Sequence, residues 1–114
     1  MADGVWLVNF TPAASATVQV GTSTNTYVTF TDAQSIAGDD MLIANDGTND
    51  VYWAAGTSTA TTQAVVGTAT PAYGATPVEK GAIKSFKKGS GNSVIALIST
   101  GSTCTVNVTF GIGQ

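Results

Sequence analysis

The sequence predicts an all-β fold, a single-domain β-sandwich of jelly-roll-like type with eight or nine short strands, and three observations carry that expectation. The chain holds 19 Thr and 12 Val against three Leu and a single Glu, a balance that suits a pleated, half-buried surface better than a helix. Apolar residues recur at every second position in several short runs, which places them on one face of a strand. Clusters of Gly, Asn, Asp, Ser and Pro separate those runs and close the turns between them. At 114 residues there is material for one core and one domain, residues 1–114, because single cores usually occupy about 100 to 150 residues.

Taken in order, residues 1–24 read as an extended N-terminal segment in which Trp6, Val8 and Phe10 are in phase, then Ala16, Val18 and Val20. Val28 and Phe30 mark the next strand. Residues 41–44 and 51–55 bracket Asn45-Asp46-Gly47-Thr48-Asn49-Asp50, where Gly and Asx residues suit a tight turn, so a hairpin is expected there. Ile43 and Tyr52 break the alternation set by Leu42 and Trp53, which leaves the register open and points to strands covered on both faces. Residues 56–79 contain Pro71 and Pro77 and read as a long loop with at most one short strand near 63–66. Loops of that length usually bind something or move.

All four Lys fall between 80 and 88, so residues 1–79 carry a net −7 and residues 80–114 a net +4. Lys84, Lys87 and Lys88 read as a solvated strand edge that discourages edge-to-edge pairing. The last two runs, 93–99 and 103–110, flank Thr100-Gly101 and are expected to form a second hairpin with Ser99 opposite Ser102, Leu97 opposite Cys104 and Ile95 opposite Val106. The expected core is Val18, Val28, Phe30, Leu97, Cys104, Val106 and Val108. Val94, Ala96 and Ile98 then project from the other face, and an apolar outer face needs a cover. A second copy, a partner's surface, the N-terminal segment or the 56–79 loop could supply it.

The absences exclude whole classes of function. With no His and one Cys there is no Ser-His-Asp or Cys-His relay, no Cys/His zinc site and no internal disulfide. A net charge of −3 with no Arg offers a phosphate backbone little, so no nucleic acid is expected as a partner. The longest strongly apolar run, residues 94–98, is far below the ~20 residues of a membrane helix, and Met1-Ala2-Asp3-Gly4 has no basic leader. No membrane is expected, and synthesis in a cytoplasm is. Asp32, Asp39, Asp40, Asp46 and Asp50 sit where turns want Asx residues and do not follow the calcium-loop spacing, so no metal is expected. Gly38-Asp39-Asp40 matches a polymerase signature by chance, and Gly89-Ser90-Gly91-Asn92 reads as a turn. Glu79, the only Glu, has no second carboxylate matched to it across a cleft. Cys104, in phase with Val106 and Val108, reads as a buried small hydrophobe. No enzyme and no cofactor are expected. Trp53, beside Tyr52, reads as core, while Trp6 and Tyr73, together with Val94, Ala96 and Ile98, are the candidate partner contacts.

From Met41 onward the order of features resembles the small β-sandwich decoration, cement or staple proteins of tailed bacteriophage capsids. The resemblance lies in Ile43-Ala44-Asn45-Asp46-Gly47-Thr48-Asn49-Asp50-Val51-Tyr52-Trp53 with Gly56, in Pro77-Val78-Glu79-Lys80-Gly81-Ala82-Ile83-Lys84-Ser85-Phe86, and in residues 93–103 leading to Val106-Asn107-Val108-Thr109 and Gly111-Ile112-Gly113. It implies a jelly-roll-like fold without enzymatic activity, and a place on the capsid surface of the virion, bound to the major capsid protein. A homo-oligomer, dimer or trimer, made in the host cytoplasm, completes that expectation. The alternative from another class is a fibre, baseplate or lectin-like module that binds glycan on a host surface.

Overall fold

The computed structural model describes residues 11–64 and 76–112, with side chains for 14–64 and 76–111. Within them lie eight strands and one short helix: β1 (Thr11–Val20), β2 (Thr26–Thr29), α1 (Ala33–Ala37), β3 (Asp40–Asn45), β4 (Val51–Gly56), β5 (Thr76–Val78), β6 (Ile83–Lys87), β7 (Val94–Ser99) and β8 (Cys104–Ile112). Two antiparallel four-stranded sheets face each other, one ordered β1-β8-β3-β6 and the other β2-β7-β4-β5. That is the strand order of a jelly roll.

Every consecutive pair of strands except β4 and β5 lies in different sheets. This corrects both expected hairpins. β3 pairs with β6 and β8, and β4 with β5 and β7, so residues 45–50 form an arch from one sheet to the other. β7 and β8 do not pair either; residues 99–103 form a second arch, and Val106 faces Val18 and Asn45 across the ladder, not Ile95. Alternation reveals which side chains share a face, while both faces of the gap receive apolar residues whichever strand is the neighbour. Asx and Gly residues serve an arch as well as a hairpin.

Between the sheets, Val20, Val28, Phe30, Met41, Ile43, Val51, Val78, Ile95, Leu97, Cys104, Val106, Val108 and Phe110 form the core, with Ala14, Ala16, Val18, Trp53 and Phe86 among the residues partly buried against it. The expected core list is therefore correct except that Val18 is half-buried. Phe30 meets Phe110 at 4.2 Å between centroids on one side of the gap, and Trp53 meets Phe86 at 4.9 Å on the other. Cys104 is a free, fully buried thiol.

Three further expectations need correction or narrowing. Within the extended segment expected at 1–24, the run of Ala16, Val18 and Val20 read as one strand face belongs to β1, which pairs with β8 from Thr11 opposite Ile112 to Val20 opposite Cys104, and the Trp6–Phe10 run lies outside the described residues. In the 56–79 segment the strand is β5, Thr76–Val78, while Ala64 makes only an isolated bridge. α1 was not expected at all. Asp32 caps it by accepting from the backbone N–H of Ser35 at 2.9 Å, a short stop on the crossing from β2 to β3.

Lys88 departs furthest from expectation, for it is 2% exposed. Its ammonium donates to the carbonyls of Ile36 (3.1 Å), Gly89 (3.2 Å) and Asn92 (2.9 Å) and lies 4.9 Å from the centroid of the Phe110 ring. Three N–H donors meet three acceptors, which is the condition for burying a cation, and the ring face adds a further attraction. Burial pushes the Lys88 pKa down, and the carboxylate of Asp39 works against that shift. The 89–92 turn therefore folds over a cation, with Gly89 and Gly91 at φ of 88° and 91°, where a Cβ would strain the backbone. Lys84 and Lys87 do lie on the exposed β6 edge, paired with Glu79 (2.5 Å) and Asp40 (2.6 Å).

Candidate functional site

The outer face of the β2-β7-β4-β5 sheet holds the side chains for which the sequence demanded a cover. Tyr27 lies opposite Ala96, Ala54 opposite Ala96 on the other flank, Gly56 opposite Val94 and Tyr52 opposite Ile98. Val94 is 2% and Ala96 0% exposed. The chain covers them itself: residues 57–64 double back over the sheet as a strap, and Ala54, Ala64 and Ala96 form a second small core with Ile98 half-buried against it. Val94 and Ala96 are thus packed within the chain and are not free to serve as the partner contact expected of them.

Polar groups tether the strap. Asn25 donates to the Ala64 carbonyl (3.2 Å) and accepts from the Ala64 N–H (2.7 Å), as a neighbouring strand would. The Tyr27 hydroxyl donates to the Thr62 carbonyl at 3.2 Å. Thr62 in turn sits where a side chain on Gly56 would stand, so a Cβ there collides with its Oγ1. Gly56→Ala should push the strap from the sheet at a cost of about 1–3 kcal/mol, typical of overpacking. Limited proteolysis within residues 57–64 should then accelerate and a hydrophobic dye should bind Val94 and Ala96; cleavage at the parental rate would show that the strap does not depend on this contact.

The outer face of the β1-β8-β3-β6 sheet is uncovered among the described residues and differs in chemistry. Ser15, Thr17 and Gln19 on β1 lie opposite Thr109, Asn107 and Thr105 on β8, and the short polar side chains bond one another. Asn107 donates to Ser15 Oγ (2.9 Å) and Thr17 Oγ1 (3.0 Å), Thr109 donates to Asn107 Oδ1 (2.9 Å), and Gln19 donates to Thr105 Oγ1 (3.0 Å). Next to this ladder the face turns apolar, with Leu42 and Ala44 on β3 and, paired with Ala44, Ile83 on β6. Ile83 is 66% exposed. A shallow depression of about 360 Å³ at that junction is lined by Thr17, Ala44, Asp46, Gly81, Ile83 and Asn107, among others.

At the end of the sandwich the two arches lean on each other. The Asn45 side chain donates to the carbonyls of Asn49 (2.8 Å) and Val78 (3.0 Å), while its Oδ1 accepts from the Gly47 N–H (3.0 Å). The Ser102 hydroxyl donates to Asn49 Oδ1, the Cys104 thiol donates to the Asn49 carbonyl (3.4 Å), and the Thr100 N–H donates to the Asp50 carbonyl (3.1 Å). Gly47 lies so close to Cys104 that a Cβ would overlap the thiol and the backbone behind it. These contacts are structural. Among the described residues no group of three or more His, Cys, Asp or Glu lies close enough to hold a metal ion.

Of the candidate contacts, Ile98 alone is described and still half-exposed; Trp6 and Tyr73 lie outside the described residues. Trp53 packs on Phe86, half-buried against the core. Ile83 escapes a reading by period because it is the one large apolar residue between Lys80 and Lys84. The sequence marks Asn45 as a turn residue, and the Asn-Asp-Gly order is also the signal of an Asx turn. No family model, curated protein or solved structure matches the chain.

Proposed function

We propose that the chain is a non-catalytic virion structural protein that binds the outside of an icosahedral phage head and clamps neighbouring copies of the major capsid protein, working as a dimer or trimer. The jelly-roll order is compatible with that role but does not select it, since the same order hosts lectins and enzymes as well as capsid proteins. What supports the reading is the open face of the β1-β8-β3-β6 sheet. Its polar side chains are short and already bonded to each other, so little rotamer freedom is lost on contact. It carries little charge and borders the exposed side chain of Ile83, an anchor that a shallow apolar pocket on a partner can take up. Such a surface fits broad, weak attachment, and repetition over a shell raises the effective concentration of each contact.

Gold-labelled antibody against the chain, applied to purified phage particles and viewed by electron microscopy, should decorate the head as a lattice. Label confined to the tail would favour the glycan-binding alternative, and particles without label would overturn the proposal. In the same assay Ile83→Asp should strip the label from heads while leaving the melting temperature unchanged, because Ile83 contributes almost nothing to the core.

A further inference from the structure

We infer that β1 is a dimerisation edge, pairing antiparallel with β1 of a second copy about a two-fold axis at Ala16. The inference takes up the oligomer of the proposed function but rests on the sheet itself, so it can fail while attachment to a shell survives. The four outer strands of the two sheets are β1, β6, β2 and β5. Three of them are poor templates. β5 has three residues with Pro77, which has no N–H, at its centre; β2 has four residues; β6 has five and displays Lys84 and Lys87. Short length, proline and lysine are the devices that keep sheet edges apart.

β1 uses none of them along most of its length. It runs for ten residues without a charge, and its one irregularity, between Pro12 and Ala14, leaves Ala14 to Val20 in unbroken register with β8. The Gln19 carbonyl accepts from the hydroxyl of Thr26 on β2 (3.4 Å) and so points away from β8. Because backbone groups alternate in direction along a strand, Thr17 and Ser15 also direct their N–H and C=O outward. Among the described residues no strand takes them up.

The burial pattern gives the second reason. Ala14, Ala16 and Val18 point inward yet stay half-exposed, while their neighbours on β8, Phe110, Val108 and Val106, are fully buried. Among the described residues the core layer is unfinished along Ala14 to Val18, while Val20 at the end of β1 is fully buried. A second copy finishes it with matching chemistry: the axis at Ala16 sets Ser15 against Thr17 on the polar face, and Ala16 against Ala16 and Ala14 against Val18 on the apolar one. The sheet then continues through eight strands, four from each copy. About that axis the regular overlap is the five residues Ala14 to Val18 of each copy, which is small beside a typical stable interface, so the dimer forms and dissociates with concentration.

Analytical ultracentrifugation of the full chain, over a dilution series without capsids, should show a reversible monomer–dimer equilibrium. Ser15 and Thr17 have exposed side chains, so S15K/T17K should fold as the parent does, and it should be at least tenfold weaker in dimerisation because each Lys faces another across the axis. S15D/T17D should be weakened likewise, and mixing the two variants should restore a dimer containing one copy of each. Hydrogen exchange on the parent gives an independent reading, with the amides of Ser15 and Thr17 gaining protection as concentration rises. A parent monomeric at every concentration, a dimer indifferent to the Lys pair, or exchange at Ser15 and Thr17 that ignores concentration would each overturn the inference.

Discussion

Val106→Asp should not fold at neutral pH. Val106 is fully buried on β8, between Val18 on β1 and Asn45 on β3, and among the described residues the one buried cation, Lys88, lies by Phe110 at the other end of that strand. An unpaired buried charge costs several kcal/mol, against a total stability of about 5–15 kcal/mol for a domain of this size. The acid can instead stay protonated, with its pKa in the fold raised above the ~3.9 of an unfolded Asp. The unfolded chain then holds fewer protons than the folded one between those two values, so the variant loses stability as pH rises and recovers part of it near pH 3. Circular dichroism at pH 3 and pH 7 checks both halves: a folded spectrum with the parent's melting temperature at pH 7 would show that β8 does not run through the core.

Asn45→Ala should rank next, with a loss of about 2–4 kcal/mol. The side chain is 2% exposed and bonds three backbone groups, the carbonyls of Asn49 and Val78 and the N–H of Gly47. Removing it takes a donor from the buried Val78 carbonyl and loosens the part-buried Asn49 carbonyl and Gly47 N–H, and a buried group left without a partner costs about 1–3 kcal/mol. The damage reaches past the first arch because Val78 belongs to the opposite sheet, so β5 should loosen as well. Urea denaturation should give a lower midpoint at an unchanged slope, and a midpoint equal to the parent's would mean that the arch holds without its bridge.

The strands were far easier to read than their neighbours. Val28, Phe30, Leu97, Cys104, Val106 and Val108 are buried as the period-two pattern required, because burial of alternate side chains is a local property of sequence. Pairing is not local. In this fold β7 and β8, joined by an arch, sit in opposite sheets, and nothing in the residues around Thr100-Gly101 distinguishes the two outcomes. Val94 and Ala96 were rightly read as needing a cover, and the choice among covers turned on Gly56, Asn25 and Thr62, which are meaningful only once brought together. Lys88 was misread for a related reason. Its sequence neighbours resemble a solvated edge, and the three carbonyls that take its charge come from α1 and from the distant 89–92 turn.

The position of β8 also has a consequence in time. It lies between β1 and β3, so it is the partner that both strands await, and a ribosome makes it after all the others. Until it emerges, β1 has no neighbour in its sheet and β3 has only β6, which leaves the chain with open edges and apolar faces that invite wrong associations. Joining Thr11 to Ile112 closes a loop of nearly the whole chain, and topologies dominated by such distant pairings fold in milliseconds to seconds rather than microseconds. Assembly of the β1-β8-β3-β6 sheet therefore waits until β8 has been made. Growing it domain-first from the N-terminus is closed to it, and a nascent chain stalled before Cys104 would be a target for chaperones.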